Sequence, residues 1–171
     1  MAEQLEEGRS ERIAWSLPDP FAMERTVAES ELDRLGHVNN AVYLQWCEGV
    51  AWRHAESIGV GWSAWRELDR AMAVIEVRLA YRQPARAGDR VRVGNWIVRN
   101  DGRLRATRRF EVHRVDEPRL LLEGEIDYVC IEISSGRPRR LPAEFARAYA
   151  VLPSVAAALR AQARGSQTAG S

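Results

Sequence analysis

The feature that most constrains the fold of this chain is a long apolar helix pattern between residues 40 and 58. Apolar side chains recur there at steps of three and four residues, which is the spacing of one helical face. The pattern comprises Val42, Tyr43, Trp46, Cys47, Val50, Ala51, Ala55 and Ile58. Because apolar residues cover much of the circumference, we expect the rest of the chain to wrap this helix on several sides.

A glycine interrupts the helix pattern. Gly49 costs about 1 kcal/mol relative to alanine in a helix interior. We therefore expect Gly49 to mark close packing against another backbone.

Strand patterns dominate the chain outside this helix. The predicted strands cover residues 21–28, 72–81, 91–98, 104–115 and 120–133, with a short helix or ordered loop over 62–69 and a C-terminal helix from about 143. The turn signal Asn100-Asp101-Gly102 predicts a hairpin. Consecutive strands pair antiparallel, and their alternation requires one covered face. The sequence therefore predicts an α+β fold in which a curved antiparallel sheet wraps one long central helix.

The length of 171 residues predicts a single domain with a proper core. We expect a flexible lead-in over residues 1–20, the domain itself over residues 21–163, and a disordered tail over residues 164–171. The sequence shows no internal repeat.

Composition excludes several classes of function. A net charge of +1 gives no general reason to bind nucleic acid or an acidic membrane surface. Cys47 and Cys130 form no CxxC pair, which argues against zinc and favours buried, reduced thiols. The polar, acidic N-terminus is unlike a signal peptide. No apolar run approaches the ~20 residues that span a bilayer. These observations lead us to expect a soluble, cytoplasmic protein.

The loop directly before the helix gathers the residues most suited to chemistry. Asp33, Gly36, His37, Asn39 and Asn40 stand within eight positions of one another. Asparagine is a preferred N-cap, and a helix start presents free N–H donors with a partial positive charge. An acid beside such donors can activate water or attack a carbonyl while the donors stabilise an oxyanion.

The spacing of this loop resembles that of a known enzyme family. The pattern Asp33-x-x-Gly36-x-Val38-x-x-x-x-Tyr43 is similar to that of the 4-hydroxybenzoyl-CoA thioesterase branch of the hotdog-fold thioesterases. The run 37–40, His-Val-Asn-Asn, is similar to plant and bacterial acyl-ACP thioesterases. The resemblance implies a hotdog fold and an acyl thioesterase that needs no metal or cofactor.

A second segment, Tyr81–Asp89, resembles the strand-to-turn segment of the same family. Two departures accompany it. Leu35 stands where the acyl-ACP pattern has an asparagine, and residues 83–85 replace its Glu or Cys. The resemblance therefore implies a mechanism that rests on the acid before the helix rather than on a complete acyl-ACP constellation.

The resemblance also implies roles for individual residues. Asp33 would be the nucleophile or the general base for water, and the amide of Asn40 would polarise the thioester carbonyl. His37 would assist by orienting water and the carbonyl. The substrate-binding candidates within the loop and the helix start are Gly36, Val38, Asn39 and Tyr43.

Candidates outside the loop come from residue type alone. Trp62 is a candidate for the wall of an acyl pocket, with core packing as the competing interpretation. Arg99 and Arg103 flank the hairpin turn and are candidates for binding a CoA or carrier-protein phosphate. Surface solvation is the competing interpretation for these arginines.

Together these features predict a thioesterase that hydrolyses an acyl-CoA or an acyl-ACP. The resemblance implies a homodimer, or a tetramer of dimers, whose sites combine residues of two subunits. The alternatives are a non-catalytic acyl-thioester-binding protein and, more weakly, a hydratase or dehydratase of enoyl thioesters.

Overall fold

A computed structural model describes residues 13–168 of the chain. Its elements are β1 (Phe21–Thr26), α1 (Asn40–Ser57), α2 (Trp62–Glu67), β2 (Arg70–Tyr81), β3 (Arg90–Asn100), β4 (Arg105–Arg114), β5 (Arg119–Glu132), α3 (Ala143–Ala148) and α4 (Pro153–Thr168). A single 3₁₀ turn, Glu29–Glu31, precedes α1. Within the described range, no helix is long and apolar enough to cross a membrane.

The strands form one antiparallel sheet in the order β1-β3-β4-β5-β2. The short strand β1 and the longer strand β2 are therefore its edges. Three register shifts interrupt the ladders, one each between β2 and β5, β3 and β4, and β4 and β5. Bulges of this kind bend strands and increase their twist. The predicted α+β architecture, a curved antiparallel sheet around one long helix, is confirmed.

The main core lies between α1 and the inner face of the sheet. The helix contributes Tyr43, Trp46, Cys47 and Val50, and the sheet contributes Val91, Val93, Phe110, Val112, Leu122 and Ile126. Burying each large apolar side chain stabilises the fold by roughly 1.5–3 kcal/mol. Cys47 and Cys130 are both buried and free, as the sequence predicts. Burial, with a contribution from the charge of Glu48, raises the pKa of the Cys47 thiol to about 12.

The outer face of the sheet is covered by the chain's N-terminal segment and by α4. Leu17 is buried with Trp96, whose indole N–H donates to the carbonyl of Pro18 at 2.7 Å. The side-chain amide of Gln162 in α4 donates to the carbonyl of Ser16 at 2.9 Å. Residues 13–20 are thus packed rather than flexible, because they bury apolar side chains; residues 1–12 of the predicted lead-in lie outside the described range. The helix α4 also runs to Thr168, into the predicted tail.

The close packing expected at Gly49 occurs instead at Gly124. A Cβ atom on Gly49 would have no atom within 4 Å, so the expectation for this residue is wrong within the chain. A Cβ atom on Gly124, in the middle of β5, would lie 2.1 Å from the carbonyl oxygen of Arg78 in β2. The strands β5 and β2 therefore approach so closely that only glycine fits.

These two glycines make a matched pair for a stability measurement. We expect Gly124→Ala to lower the free energy of unfolding by about 1–3 kcal/mol or more, because the new methyl group overlaps backbone. We expect Gly49→Ala to raise it by up to about 1 kcal/mol, since alanine favours the helix and meets open space. Urea denaturation of both variants checks this, and similar effects for the two would contradict the packing described.

Candidate active site

The residues before α1 form a tight turn that is closed by its own backbone. Leu32 and Val38 form an antiparallel bridge. The Asp33 N–H donates to the carbonyl of His37 at 2.7 Å, and the Gly36 N–H donates to the carbonyl of Asp33 at 3.1 Å. Gly36 has φ = +72°, a left-handed conformation that glycine adopts without strain. The glycine in the sequence pattern is therefore required by the turn.

One oxygen of the Asp33 carboxylate is hydrogen-bonded within this turn, and the other is free among the described residues. Its Oδ1 atom accepts from the N–H groups of Leu35 at 2.8 Å and His37 at 3.3 Å. Its Oδ2 atom has no hydrogen-bond partner among residues 13–168, and the side chain is exposed. The turn thus fixes the direction of the carboxylate and leaves one oxygen for water or a substrate.

The start of α1 presents an unused backbone donor. Asn39 is the N-cap, and its side-chain oxygen accepts from the Ala41 N–H at 2.9 Å. The Asn39 carbonyl accepts from the Val42 N–H at 2.9 Å. The N–H of Asn40 has no acceptor in the described part of the chain. An 18-residue helix therefore points a free donor and its positive dipole end outward beside the turn.

A buried tyrosine fixes the helix start against the segment that follows β2. The Tyr43 hydroxyl accepts from the Ala85 N–H at 3.0 Å, and the Ala85 carbonyl accepts from the Val38 N–H at 2.9 Å. The Tyr81 hydroxyl donates to the carbonyl of Asn40 at 3.0 Å. Tyr43 and Val38 are buried, so within the chain they support the site rather than contact a substrate as predicted.

Glu31 holds the turn from the other side and is a residue that the sequence analysis missed. Its carbonyl accepts from the Asn39 N–H at 2.9 Å, and its carboxylate accepts from the Ala28 N–H at 2.9 Å and the Trp46 indole at 3.0 Å. Burial works to raise the pKa of Glu31, but these donors and the charge of Arg25 outweigh it and hold the pKa below its usual range. The sequence gives no signal for it, because Ala28 stands at the N-cap position where a capping box has a Ser or Thr.

Two further residues that the sequence analysis named as candidates, His37 and Trp62, lie in different parts of the structure. The imidazole of His37 is half-buried in the turn, and only its backbone N–H bonds the Asp33 carboxylate. Trp62 is exposed and stands edge-on to Trp52, with ring centroids 6.0 Å apart. Neither residue's side chain contacts the carboxylate of Asp33 within the chain.

The two arginine candidates lie near the β3–β4 turn. Arg99 donates to the Thr107 hydroxyl at 3.2 Å and pairs with Glu125 at 2.9 Å. Arg103 is exposed within the turn. Neither makes a contact with the turn before α1, so one chain does not bring these arginines to Asp33.

The hydrogen bond that Tyr43 accepts can be tested against the one that Tyr81 donates. We expect Tyr43→Phe to lower the free energy of unfolding by about 1–3 kcal/mol, because the buried Ala85 N–H loses its acceptor. Tyr81→Phe, at an exposed position, should cost less than about 1 kcal/mol. Chemical denaturation of both variants measures this. Equal losses would show that the Ala85 bond does not anchor the helix start.

The geometry of the turn and the helix start suits attack on an acyl carbonyl. A carboxylate oxygen that is free can abstract a proton from water or attack directly. A backbone N–H at a helix N-terminus can stabilise the oxyanion that develops. Asp33 lies in the turn, and Asn40 is the first residue of the helix that follows this turn.

The chain belongs to the thioesterase-like superfamily. Residues 27–149 match the model of the thioesterase-like superfamily, which confirms the resemblance seen in the sequence. The acyl-acyl carrier protein thioesterase ATL3, chloroplastic, of Arabidopsis thaliana is 35% identical over 68 residues. This alignment covers 40% of the chain and only 36% of that relative.

Solved structures share the fold over most of the chain. The dynemicin thioesterase is 27% identical, with a TM-score of 0.68 over 78% of this chain and 99% of that one. A 1,4-dihydroxy-2-naphthoyl-CoA thioesterase from Synechocystis is 23% identical, with a TM-score of 0.69 over 77% of this chain and 96% of that one. The protein SAV2348 from Staphylococcus aureus, solved in complex with CoA, has a TM-score of 0.70 at 20% identity, over 77% of this chain and 82% of that one.

Proposed function

We propose that this protein is an acyl thioesterase that hydrolyses an acyl-CoA or acyl-ACP to a carboxylic acid and a thiol. The observation that carries the proposal is the free Oδ2 atom of Asp33 in a turn that leads directly into a helix whose first N–H, that of Asn40, is unpaired among the described residues. The match to the thioesterase-like superfamily supports it. So does the likeness to an acyl-ACP thioesterase and to the dynemicin thioesterase.

The reaction needs only groups that the chain supplies and one water molecule. With Asp33 as general base, Oδ2 takes a proton from water, and the resulting hydroxide attacks the thioester carbonyl carbon. The oxyanion accepts from the Asn40 N–H. The C–S bond then breaks, and the proton held by Asp33 passes to the leaving thiolate. With Asp33 as nucleophile, the carboxylate attacks the carbonyl carbon and the C–S bond breaks, which releases the thiolate and leaves a mixed anhydride. Water then hydrolyses the anhydride, which frees the carboxylic acid and Asp33, and a proton from that water passes to the thiolate.

Asp33→Asn tests the assignment of the carboxylate. We expect kcat to fall by about 10²- to 10⁴-fold, because the amide neither accepts the proton nor attacks the carbonyl. Turnover is measured on a panel of acyl-CoA and acyl-ACP thioesters by release of the free thiol. Glu29→Gln is the matched control, since it removes an exposed carboxylate from the same segment and should leave turnover unchanged.

The same panel separates the competing functions. Full activity in Asp33→Asn, or no hydrolysis of any thioester by the wild-type protein, would contradict the proposal. Binding of acyl-CoA without turnover would favour a non-catalytic acyl-thioester-binding protein. Formation of a hydroxyacyl product from an enoyl thioester would indicate a hydratase.

We also propose that the active protein is at least a homodimer that pairs along the edge of β2. This 12-residue strand bonds only β5 within the sheet. Val74, Ile75 and Val77 on it are 40–47% exposed. A long, apolar edge strand is a template for pairing with another chain, and a second copy offers the same strand in antiparallel register.

A charge placed on this edge tests the dimer. We expect Val77→Lys to shift the mass measured by light scattering from dimer to monomer, because edge lysines block strand pairing. Met23→Lys is the matched control: Met23 is 39% exposed on β1, the opposite edge strand. A monomeric wild-type protein, or dissociation by the β1 variant instead, would contradict pairing through β2.

A further inference from the structure

A cavity beside the second half of α1 is separate from the turn that carries Asp33. Its volume is about 200 Å³, and no residue from 32 to 40 lines it. Four aromatic rings wall it, those of Trp52, Trp65, Tyr128 and Tyr149. An apolar cavity of about 150 Å³ is large enough to hold benzene. This cavity therefore has room for the end of an acyl group.

A buried guanidinium forms part of the wall. Arg108, on β4, is 3% exposed and lines the cavity. Its Nη1 atom lies 2.9 Å from Nδ1 of His54 and 3.2 Å from Oδ1 of Asn95. The guanidinium also stacks 4.9 Å from the centre of the Tyr149 ring. Its Nη2 atom is buried and has no hydrogen-bond acceptor among residues 13–168.

None of these partners neutralises the charge of Arg108. Asn95 and Tyr149 are uncharged. Desolvation, together with the charge of Arg108, lowers the pKa of His54 to about 4, so the imidazole is neutral at pH 7. With Nδ1 accepting from Arg108 and Asn95, the imidazole carries its proton on Nε2. A guanidinium is always charged in proteins, so it remains an uncompensated cation.

Glu48 is the one carboxylate among the residues that line the cavity, and it does not neutralise the charge of Arg108. Glu48 is exposed at the open side, and its oxygens are not within 4 Å of the Arg108 nitrogens. Its charge is screened by water, whereas the guanidinium is not. A buried charge with an unpaired N–H is costly unless a partner supplies the missing acceptor. An anion of the size that the cavity admits would supply both the acceptor and the opposite charge.

The position of the cavity along α1 relates it to the helix start that carries the Asn40 N–H. Glu48 lies eight residues beyond Asn40, which is about 12 Å along the helix axis. A medium-chain acyl group has this length. We propose that the cavity binds the distal end of the acyl group, and that Arg108 selects acyl groups that end in a carboxylate. This inference rests on the proposed thioesterase function, because it places the carbonyl of the substrate at Asn40.

Matched thioesters test the inference on the wild-type protein. Suberoyl-CoA and octanoyl-CoA have the same carbon number and differ only in a terminal carboxylate or methyl group; adipoyl-CoA and hexanoyl-CoA form a shorter pair. We expect kcat/KM to be at least about tenfold higher for the carboxylate member of one pair, because only it supplies the acceptor that Arg108 lacks. Equal values in both pairs would overturn the inference.

Substitution of the guanidinium assigns the preference to Arg108. We expect Arg108→Met to abolish the preference for the carboxylate member while hydrolysis of octanoyl-CoA continues. Arg109→Met is the matched control, since Arg109 is the next residue of β4 and pairs with Glu125 at 2.9 Å outside the cavity. A preference that survives in Arg108→Met would overturn the assignment.

A binding measurement keeps this inference distinct from the proposed function. If no thioester is hydrolysed, or if Arg108→Met does not fold, calorimetry with the wild-type protein compares hexanoate with 1-hexanol, which has the same carbon number and no charge. Tighter binding of hexanoate would support an anion site in the cavity even where the thioesterase proposal fails. Failure of hexanoate to bind more tightly than 1-hexanol would overturn the inference whether or not thioesters are hydrolysed.

Discussion

The burial of α1 against the inner face of the sheet is the interaction on which the rest of the structure depends. It places Tyr43 in the core, where the hydroxyl bonds Ala85 and ties the first turn of the helix to the segment after β2. The position of the free Asn40 N–H follows from that bond, and the turn that carries Asp33 is built outward from it.

Glu31 and Asp33 lie in different environments within the turn and have different roles in it. The carboxylate of Glu31 lies among hydrogen-bond donors and stays charged, so it serves as an anchor. The carboxylate of Asp33 is exposed and bonds the turn through one oxygen alone. A carboxylate whose donors are all local amides keeps its orientation without losing its second oxygen. Glu31 thus anchors the turn from which the carboxylate of Asp33 projects.

The fold and the turn were predictable from the sequence because their signals are local. Helical periodicity located α1, alternation and turn residues located the strands, and the spacing from Asp33 to Tyr43 indicated the candidate site. Packing between distant segments leaves no such signal. The close approach at Gly124 depends on the register of β5 against β2, and the cluster around Arg108 depends on three separate elements. The sequence therefore drew attention to Gly49, which interrupts a helix pattern, and not to Gly124, where the backbones are in close contact.

The two halves of α1 have separable tasks. The field of the helix dipole falls off within the first turn, so residues beyond it add nothing to oxyanion stabilisation. From Glu48 onward the helix instead walls a cavity whose opposite side carries Arg108. The N–H of Asn40 and the part of the cavity wall that begins at Glu48 therefore lie on one helix, about 12 Å apart along its axis, while Arg108 faces the cavity from β4. We therefore expect changes in the cavity to alter which acyl group is accepted without disturbing the carboxylate and the amide that we propose act on its carbonyl.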